Sequence, residues 1–455
     1  MNDSTLEFTG LWWLPDNPTV EYSGKLTISP NLDLNLELAG SFGAERQIME
    51  HLPFPIIFGV AGGRQFTLVD CLSMQTSMGF PGIIHSNYSM NKILDGIHLS
   101  NPNEVKLSSY SVQYTHLNEW INISGIQSEI SYEPRWVKIA YETPHSILHK
   151  IDDNLAIGID FIGNFNILPS KTEAHVNEDK ILRIVPTAEE SIKKIESLAY
   201  LVQHFLTLMI GKPVYPLKTY GRCKNNQIGP ESPNPEIVFE IIQKPRGYSE
   251  DFKPLHPMDL RSQYSEIRDQ MENFLKNWID KSDRLSSTSD LYFSTLYLGK
   301  LTAENHFLRM AQALESYHQR MIGGVFLSPE AYLDTKNMLI NAIPQLEIDD
   351  YNEFKQSLAS RIKYGNSYSF KKRIEEIVRR YEDTFIPSIA DIPEFVKVVR
   401  DTRDYLTHYE VELKEKAASG TKLYHLARDL ENLVKMCLMT EIGLSNANIK
   451  EMISK

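Results

Sequence analysis

Hydrophobic and polar residues alternate over short stretches in the first half of the chain, which is the pattern of strands with one buried face. β-Branched and aromatic residues are frequent in these stretches, and Gly, Asn or Pro residues separate them. The predicted strands are 25–29, 32–38, 65–71, 105–114, 136–142, 156–161, 181–186, 214–220 and 236–243. Residues 225–235 are rich in Asn, Pro and Gly and are predicted to form a loop.

A helical period replaces this alternation in two segments of the first half and throughout the second half of the chain. The predicted helices are 188–210, 263–281, 290–299, 303–322, 329–343, 351–362, 370–382, 393–416 and 422–441. The polar residues 282–289 are predicted to interrupt the helices. We therefore expect an α+β multidomain protein, with a β-rich N-terminal domain over 1–285 and an all-α helical bundle over 290–455.

Two adjacent tryptophans, Trp12 and Trp13, stand near the start of the β-rich half. Large aromatic side chains of this kind usually pack into a core, and that is the interpretation we favour. The alternative is an exposed platform that stacks against a ligand.

The composition adds limits to this picture. The 455 residues are 42% hydrophobic and 23% charged, as in a soluble globular protein, and no apolar run is long enough to span a membrane. The first residues lack the features of a secretory signal. Cys71, Cys223 and Cys437 are far apart and form no zinc-binding spacing. These features predict a cytoplasmic protein with free thiols, no membrane partner and no cofactor.

The net charge of −12 argues against a protein that coats nucleic acid, because phosphate binding relies on clustered cations. A local basic segment nevertheless lies within residues 361–380. Its predicted RNA contacts are Lys371, Lys372, Arg373, Arg379 and Arg380. The alternative is an ordinary solvated helix face.

The clearest candidate chemistry is the pair Arg403 and His408, which lies in the predicted helix 393–416. Histidine can transfer a proton near neutral pH, and arginine can stabilise charge on a phosphate, so together they need no metal. The same spacing joins Arg46 to His51, but that pair lies in a region predicted as strand and loop. We therefore regard the second pair as a coincidence.

Arg403 occupies an apolar stripe of its helix, between Val399 and Leu406, where a charge must be paired or face a cleft or partner. Asp404 and His408 are four residues apart, so a hydrogen bond between them is predicted to fix the imidazole. Arg403 and His408 lie about 140° apart around a regular helix. They converge if Arg403 bends, if the helix is irregular, or if each meets the other's copy across a dimer interface.

Two further residues are predicted to support this pair. Glu315 borders the apolar face of the predicted helix 303–322, where it can pair with Arg400 or Arg403 or line an active cleft. Arg400 shares the stripe of Asp404 and His408. The alternative to catalysis is a structural network of Arg, Asp and His at the surface.

The hexad 403–408, the helical segment 313–318 and the N-terminal segments 10–15, 24–26 and 36–40 together resemble the ApeA-type anti-phage proteins with a HEPN domain. The likeness extends in order over nearly the whole chain. It implies a HEPN endoribonuclease of bacterial defence that acts by abortive infection as a homodimer or higher homo-oligomer. Host RNA such as tRNA is the expected substrate, and a phage-encoded trigger is an expected partner.

The expected reaction is attack of a ribose 2′-OH on the neighbouring phosphate, which leaves a 2′,3′-cyclic phosphate. Arg403, His408 and Asp404 are the predicted catalytic residues. The alternative function is a non-catalytic HEPN-like module that dimerises and senses a ligand or RNA. Other sites have little support: the glycines of 59–64 lack the Lys-Ser/Thr of a phosphate loop, and His145 and His149 lack a third metal ligand.

Overall fold

The computed structural model describes residues 4–43, 51–78, 84–102, 105–167, 174–224, 236–245, 253–385 and 391–455. Two compact units make up the chain, Met1–Ile279 and Asp280–Lys455. The predicted loop 225–235 and Arg46 of the second Arg/His pair lie outside the described residues.

Within the described part of the first unit, the strands form mainly antiparallel pairs. They are β1 (Leu6–Leu14), β2 (Asn17–Ile28), β3 (Leu34–Ala39), β4 (Pro53–Ala61), β5 (Arg64–Met78), β6 (Ile84–Ser89), β7 (Lys92–Asp95), β8 (Lys106–Leu107), β9 (Ser109–Tyr114), β10 (Ile126–Tyr132), β11 (Arg135–Tyr141), β12 (Ile147–Lys150), β13 (Leu155–Ile167), β14 (Ala174–Pro186), β15 (Glu190–Ser191), β16 (Pro216–Lys224) and β17 (Glu236–Ile242). Each of the nine predicted strand segments coincides wholly or largely with one or two of these strands.

Six strands close into a barrel in the order β5-β4-β1-β2-β3-β6, and β6 pairs back with β5. Alternate residues of β3, Leu34, Leu36 and Leu38, face the barrel core, as the period of two predicts. Trp12 is fully buried in this core, so the packing interpretation is confirmed for it. The close contact of the Trp12 ring with Gly59 leaves no room for a Cβ atom at residue 59.

The same antiparallel sheet continues beyond the barrel, because β7 pairs with β5, and it then follows the order β7-β17-β16-β9-β14-β13-β12. Helix α1 (Leu117–Ile121) and the long α2 (Ile192–Ile210) belong to the same unit. α2 begins later than predicted because Glu190 and Ser191 form the short strand β15 against β8. It ends at Gly211, which adopts a left-handed conformation.

The remaining helices are α3 (Tyr264–Ile267), α4 (Met271–Asp280), α5 (Ser282–Tyr297), α6 (Ala303–Tyr317), α7 (Pro329–Asn341), α8 (Tyr351–Lys363), α9 (Phe370–Arg380), α10 (Glu382–Phe385), α11 (Ile392–His408), α12 (Gly420–Ile442) and α13 (Asn446–Ser454). A π-helical turn, His318–Ile322, continues α6. The predicted helix 263–281 is interrupted, because a 3₁₀ turn over Arg268–Gln270 separates α3 from α4.

The predicted polar break at 282–289 is wrong, because these residues form the first half of α5. Leu285, Thr288 and Ser289 are buried there, and the Thr288 hydroxyl lies 3.4 Å from the carbonyl oxygen of Ala313. Burial against α6 outweighs the weak helix preference of a serine-rich segment. The fold class itself, a β-rich region followed by a helical bundle, is confirmed.

The core of the helical unit forms where α6 packs against α5 and α12, with α9 and α11 on other sides of α6. Its centre is apolar, with Leu314, Leu430 and Cys437 fully buried. No helix among the described residues is long and apolar enough to cross a membrane.

Candidate active site

Helix α11 positions the predicted catalytic pair. The Asp391 side chain caps its start by accepting a hydrogen bond from the backbone N–H of Glu394, 3.1 Å away. Val396 and Val399 anchor the helix in the core. The helix ends at His408, because Tyr409 adopts a left-handed conformation. The predicted helix 393–416 is therefore too long at its C-terminal end.

Arg403 has three neighbours that explain a charge on an apolar stripe. Its guanidinium donates to the Asp404 carboxylate at 2.9 Å and lies 3.6 Å from the Glu315 carboxylate. It also stacks over the Phe370 ring, 5.0 Å from the ring centroid. The Arg403 side chain is 33% exposed, so part of it remains accessible to a ligand.

His408 differs from Arg403 in having no such neighbours. Its side chain is exposed and makes no hydrogen bond or ion pair with any residue that the structure describes. The predicted hydrogen bond between Asp404 and His408 is not formed. The reason is that the Asp404 carboxylate binds the nearer cation, Arg403, whereas His408 stands at the helix terminus in water.

The helix is regular as far as His408, so irregularity does not bring the pair together. Arg403 is turned toward Glu315 and Phe370, about 140° around the helix from His408. Within one chain, therefore, neither an irregular helix nor a bent Arg403 side chain brings the two residues together.

Arg400 does not pair with Glu315. Its guanidinium donates to the carboxylate of its neighbour Asp401, with an Nε to oxygen distance of 2.9 Å. The Asp401 side chain is only 2% exposed, so Arg400 neutralises a buried charge.

The basic segment is less open to a ligand than its sequence indicates. Arg373 is 6% exposed and donates to the carbonyl oxygens of Tyr368 and Gly323, so its prediction as an RNA contact is wrong. The buried positions on α9 recur every three to four residues, and Arg373 is one of them, so it lies on the inner face of that helix.

The other four cations of this segment are at least partly exposed. Lys372 lies over the Tyr368 ring, Arg379 pairs with Glu375, and Arg380 donates to the Tyr317 hydroxyl. Each of these contacts leaves part of the side chain accessible.

Two buried polar clusters in the helical unit have no signature in the sequence. In the first, His318 lies between Arg373 and Glu376, with 2.8 Å between its Nε2 atom and the Glu376 carboxylate. In the second, burial tends to raise the pKa of Glu431, but hydrogen bonds from His306 and Lys435 hold the pKa of that carboxyl at about 2. Such clusters join distant helices, which no local pattern predicts.

Phe370, on which Arg403 stacks, was also missed by the sequence reasoning. It is the first residue of α9 and follows the helix-capping Ser369. Its local pattern indicates only a core position, and the stacking depends on how α9 and α11 pack.

Among the described residues, no group of three or more His, Cys, Asp or Glu side chains has an arrangement that could hold a metal ion. His149 is buried, and its Nε2 atom lies 2.9 Å from the Tyr264 hydroxyl. His149 therefore has a partner within the fold, whereas His145 is exposed.

Family comparisons agree with the arrangement of the two units. The family model described as ApeA N-terminal domain 1 matches residues 7–278, which is more than half of the chain, and the model described as Apea-like HEPN matches residues 308–448. The chain belongs to the ApeA-like HEPN family. No curated protein and no solved structure matches it. Arg403, His408 and Glu315 all lie within the region matched as HEPN.

Membership of the ApeA-like HEPN family makes this a HEPN-type anti-phage defence protein. HEPN domains are generally associated with ribonucleases, and they commonly act on RNA and form dimers.

Proposed function

We propose that this ApeA-like protein is a metal-independent RNA endonuclease that acts in abortive infection. One observation carries the proposal: within the matched HEPN region, Arg403 and His408 lie on the last two turns of one helix, and His408 is exposed. A buried histidine of the fold, such as His318, is enclosed by partners, whereas a proton-transfer group must reach its substrate.

The reaction proposed is attack of a ribose 2′-OH on the adjacent phosphate. The 2′-OH loses its proton, the bond from phosphorus to the 5′-oxygen breaks, and that oxygen gains a proton. The products are a 2′,3′-cyclic phosphate and a 5′-hydroxyl. His408 serves as the base or the acid, and Arg403 stabilises the negative charge of the phosphorane.

A dimer would bring together two histidines and two arginines, which one copy does not provide. The reaction needs one group to remove a proton and another to deliver one, and each copy contributes one His408. If two α11 helices meet, the Arg403 of one copy approaches the His408 of the other. Glu315 and Phe370 then hold Arg403 in a fixed orientation on each side.

Asp404 has a different role from the one first predicted. Because its carboxylate binds Arg403, we infer that it positions the guanidinium. Arg400, which neutralises Asp401, supports the helix beneath the site.

Host RNA, for example tRNA, is the proposed substrate. Lys371, Lys372, Arg379 and Arg380 remain candidates for contacts with its phosphates, because their side chains are at least partly exposed. The overall charge of −12 favours a local contact over extensive coating.

The test compares the parent with His408→Ala and with His425→Ala, a matched control at another exposed histidine of the same unit. Each protein is incubated with total bacterial RNA in EDTA, alone and with lysate from phage-infected cells, and the fragment ends are mapped. We expect cyclic-phosphate ends from the parent and from His425→Ala, with cleavage by His408→Ala lower by about 10² to 10⁴-fold. Equal cleavage by His408→Ala would contradict the proposal.

Two controls test the chemistry itself. A DNA oligonucleotide of the same sequence as a cleaved RNA lacks the 2′-OH and is expected to remain intact. Cleavage that requires added Mg²⁺ and stops in EDTA would mean that the proposed mechanism is wrong.

We further propose that the β-rich unit restrains the nuclease until a phage-encoded trigger binds. Deleting residues 1–279 tests this, because a cut at residue 285 would remove the first turn of α5. The helical fragment is expected to be more toxic than the whole chain in uninfected cells. A fragment that folds and cleaves RNA no faster than the whole chain would count against restraint.

One observation favours a second candidate, a non-catalytic module that binds RNA or another ligand. The contacts of Arg403 with Glu315 and Asp404 also suit a purely structural arginine. If so, Arg403→Ala lowers the melting temperature and the parent shows no cleavage under any condition.

A further inference from the structure

The residue that follows His408 has an unusual backbone conformation. Tyr409 caps the C-terminus of α11 with a φ of 54° and a ψ of 35°, which lie in the left-handed region. Glycine is the residue most often found there at a helix end, because a Cβ atom makes this conformation unfavourable. Among the described residues of the helical unit, Tyr409 is the one non-glycine residue with a positive φ. Unfavourable conformations of this kind persist mainly at sites of function.

The Tyr409 ring gains little from the fold in return for this conformation. Its backbone N–H donates to the carbonyl oxygen of Tyr405 at 2.7 Å, and the centroids of the two tyrosine rings lie 5.6 Å apart. Tyr409 is nevertheless 68% exposed, and its hydroxyl has no hydrogen-bond partner among the residues that the structure describes. Packing within the helical unit therefore does not explain a tyrosine at a position that suits glycine.

The two tyrosine rings lie beside the histidine of the candidate active site. His408 and Tyr409 are consecutive, so their Cα atoms are about 3.8 Å apart. Tyr405 and His408 are three residues apart on α11, which places both side chains on one side of that helix. The rings of Tyr405 and Tyr409 meet edge to face at an interplanar angle of 65°. Such a contact leaves at least one face of the Tyr409 ring uncovered by Tyr405.

A second tyrosine at a helix end provides a comparison within the same unit. Tyr364 caps the C-terminus of α8 and is 66% exposed, close to the value for Tyr409. Its φ is −98°, which is negative, as is usual for a residue with a Cβ atom. Exposure at a helix end is therefore ordinary for a tyrosine. The left-handed backbone beside His408 is what distinguishes Tyr409.

The charges next to Tyr409 favour a nucleobase over a phosphate as the ligand of its ring. Glu410 and Glu412 follow it and are exposed, and such carboxylates repel phosphate. An uncovered aromatic ring offers stacking to the flat face of a nucleobase, and this contact is available to every base. In the proposed reaction, Arg403 supplies the positive charge that the phosphate needs.

We propose that Tyr409 stacks against a nucleobase of the RNA next to the bond that is cleaved. The ring then holds this nucleotide while the ribose 2′-OH meets His408, and Tyr405 supports the ring from one side. Tyr409 thus binds the substrate and takes no part in proton transfer. This inference rests on the proposed ribonuclease function for the identity of the ligand.

The test measures RNA binding in full-length His408→Ala, in which the probe is not consumed by cleavage. One probe is a fluorescein-labelled single-stranded RNA of mixed sequence, and the other is a labelled ribose-phosphate oligomer of the same length without bases. Tyr409→Gly, added to His408→Ala, removes the ring and introduces the residue that best fits a left-handed backbone. Tyr409→Phe keeps a ring that can stack, and Tyr364→Gly is the matched control.

Fluorescence anisotropy gives the affinity for each probe. We expect Tyr409→Gly to bind the RNA about tenfold more weakly than His408→Ala alone, and to bind the base-free oligomer equally well. Tyr409→Phe and Tyr364→Gly should bind both probes as His408→Ala alone does. The melting temperature of Tyr409→Gly should be no lower, so a loss of RNA binding cannot be attributed to a loss of stability.

Equal RNA binding with and without the Tyr409 ring would overturn the proposal, as would a failure of His408→Ala itself to bind RNA. An equal loss for the two probes would also overturn it, because stacking requires a base. Analytical ultracentrifugation tests the other occupant. If Tyr409→Gly weakens self-association and leaves RNA binding unaltered, a second copy of the chain covers the ring and the proposal is wrong.

Cleavage assays separate this inference from the proposed function. If the unaltered chain cleaves no RNA under any condition but the expected binding pattern is found, the base-binding site is supported and the endonuclease proposal fails. If the unaltered chain cleaves RNA and Tyr409→Gly does so with the same KM, the endonuclease is supported and the base-binding site is wrong. A raised KM for Tyr409→Gly is the result expected when both are right.

Discussion

The β-rich unit and the helical unit use their polar side chains differently. In the β-rich unit, Lys180 and Glu178 form a 2.9 Å ion pair with both side chains almost fully buried, and His204 is 1% exposed. In the helical unit, buried clusters also occur, but Arg403 and His408 lie at the surface end of one helix. Substitution of the buried residues should therefore cost stability, whereas substitution of Arg403 or His408 should cost activity.

The largest effect is expected at Arg403. Arg403→Ala should lower RNA cleavage by about 10² to 10³-fold, because it removes charge stabilisation from the transition state. Arg403→Lys should recover only part of the activity, since lysine lacks the planar fork. Cleavage rates and melting temperature are measured together.

Arg428→Ala is the control for Arg403, because Arg428 also stacks on a ring, that of Tyr424, and is exposed. We expect full activity from it. If Arg403→Ala lowers the melting temperature as much as a core variant does, Arg403 is needed for stability, and the contrast between the two units is wrong.

The next effect concerns the barrel. Trp12→Ala should lower the free energy of unfolding of the β-rich unit by about 3 to 5 kcal/mol, because it leaves a large cavity in the core. Trp136→Ala, at a ring that is 43% exposed, should change it by less than about 0.5 kcal/mol. Denaturant unfolding followed by far-ultraviolet circular dichroism checks this. Similar losses for the two variants would show that Trp12 is not a core residue.

A third prediction compares two arginines of the same helix. Arg373→Met should cost about 3 kcal/mol of stability, because it leaves His318 and a buried carbonyl group without their donor. Arg379→Met, on the exposed face, should cost less than about 0.5 kcal/mol. If the two variants unfold at the same denaturant concentration, Arg373 does not anchor the helix.

The last comparison concerns the dependence of stability on pH. Burial lowers the pKa of His204 from 6.5 to about 3. The unfolded chain therefore takes up a proton at a higher pH than the folded chain. Burial of neutral His204 therefore favours the folded state fully above about pH 6.5, and this stabilisation is lost as the pH falls toward about 3.

His204→Gln should therefore flatten the dependence of stability on pH in this window. His145→Gln, at an exposed histidine, should leave the slope unchanged. Unfolding midpoints between pH 4 and 7 are the measurement, and an unaltered slope in His204→Gln would contradict the assignment.

Local patterns predicted most of the fold. The period of two found β2, β3 and β5 of the barrel, whereas β1, β4 and β6 were not among the predicted strands. The period of 3.6 found each long helix except the first half of α5. That half failed because its serines are held by burial against α6, a contact between separate segments. The end of α11 was placed eight residues too far along, because Tyr409 has no sequence feature that demands a left-handed conformation.

The candidate site was predicted less completely. The spacing of Arg403 and His408, together with the family resemblance, singled out both residues. The sequence did not determine the partners of Arg403 as clearly, because Glu315 and Phe370 belong to other helices. Asp404 was predicted to bind His408, but it binds Arg403 instead. Sequence spacing does not show which of the two side chains lies nearer to the carboxylate.

The hairpin formed by α7 and α8 has a consequence for how the length of this chain can change. The chain leaves the bundle at Gly324 and returns at Tyr368, and a hydrogen bond joins these two residues. Whole helical turns can therefore be added or removed beyond that point without shifting Phe370, on which Arg403 rests. Hairpins of different length can therefore be built on the same bundle while the contact between Phe370 and Arg403 is kept.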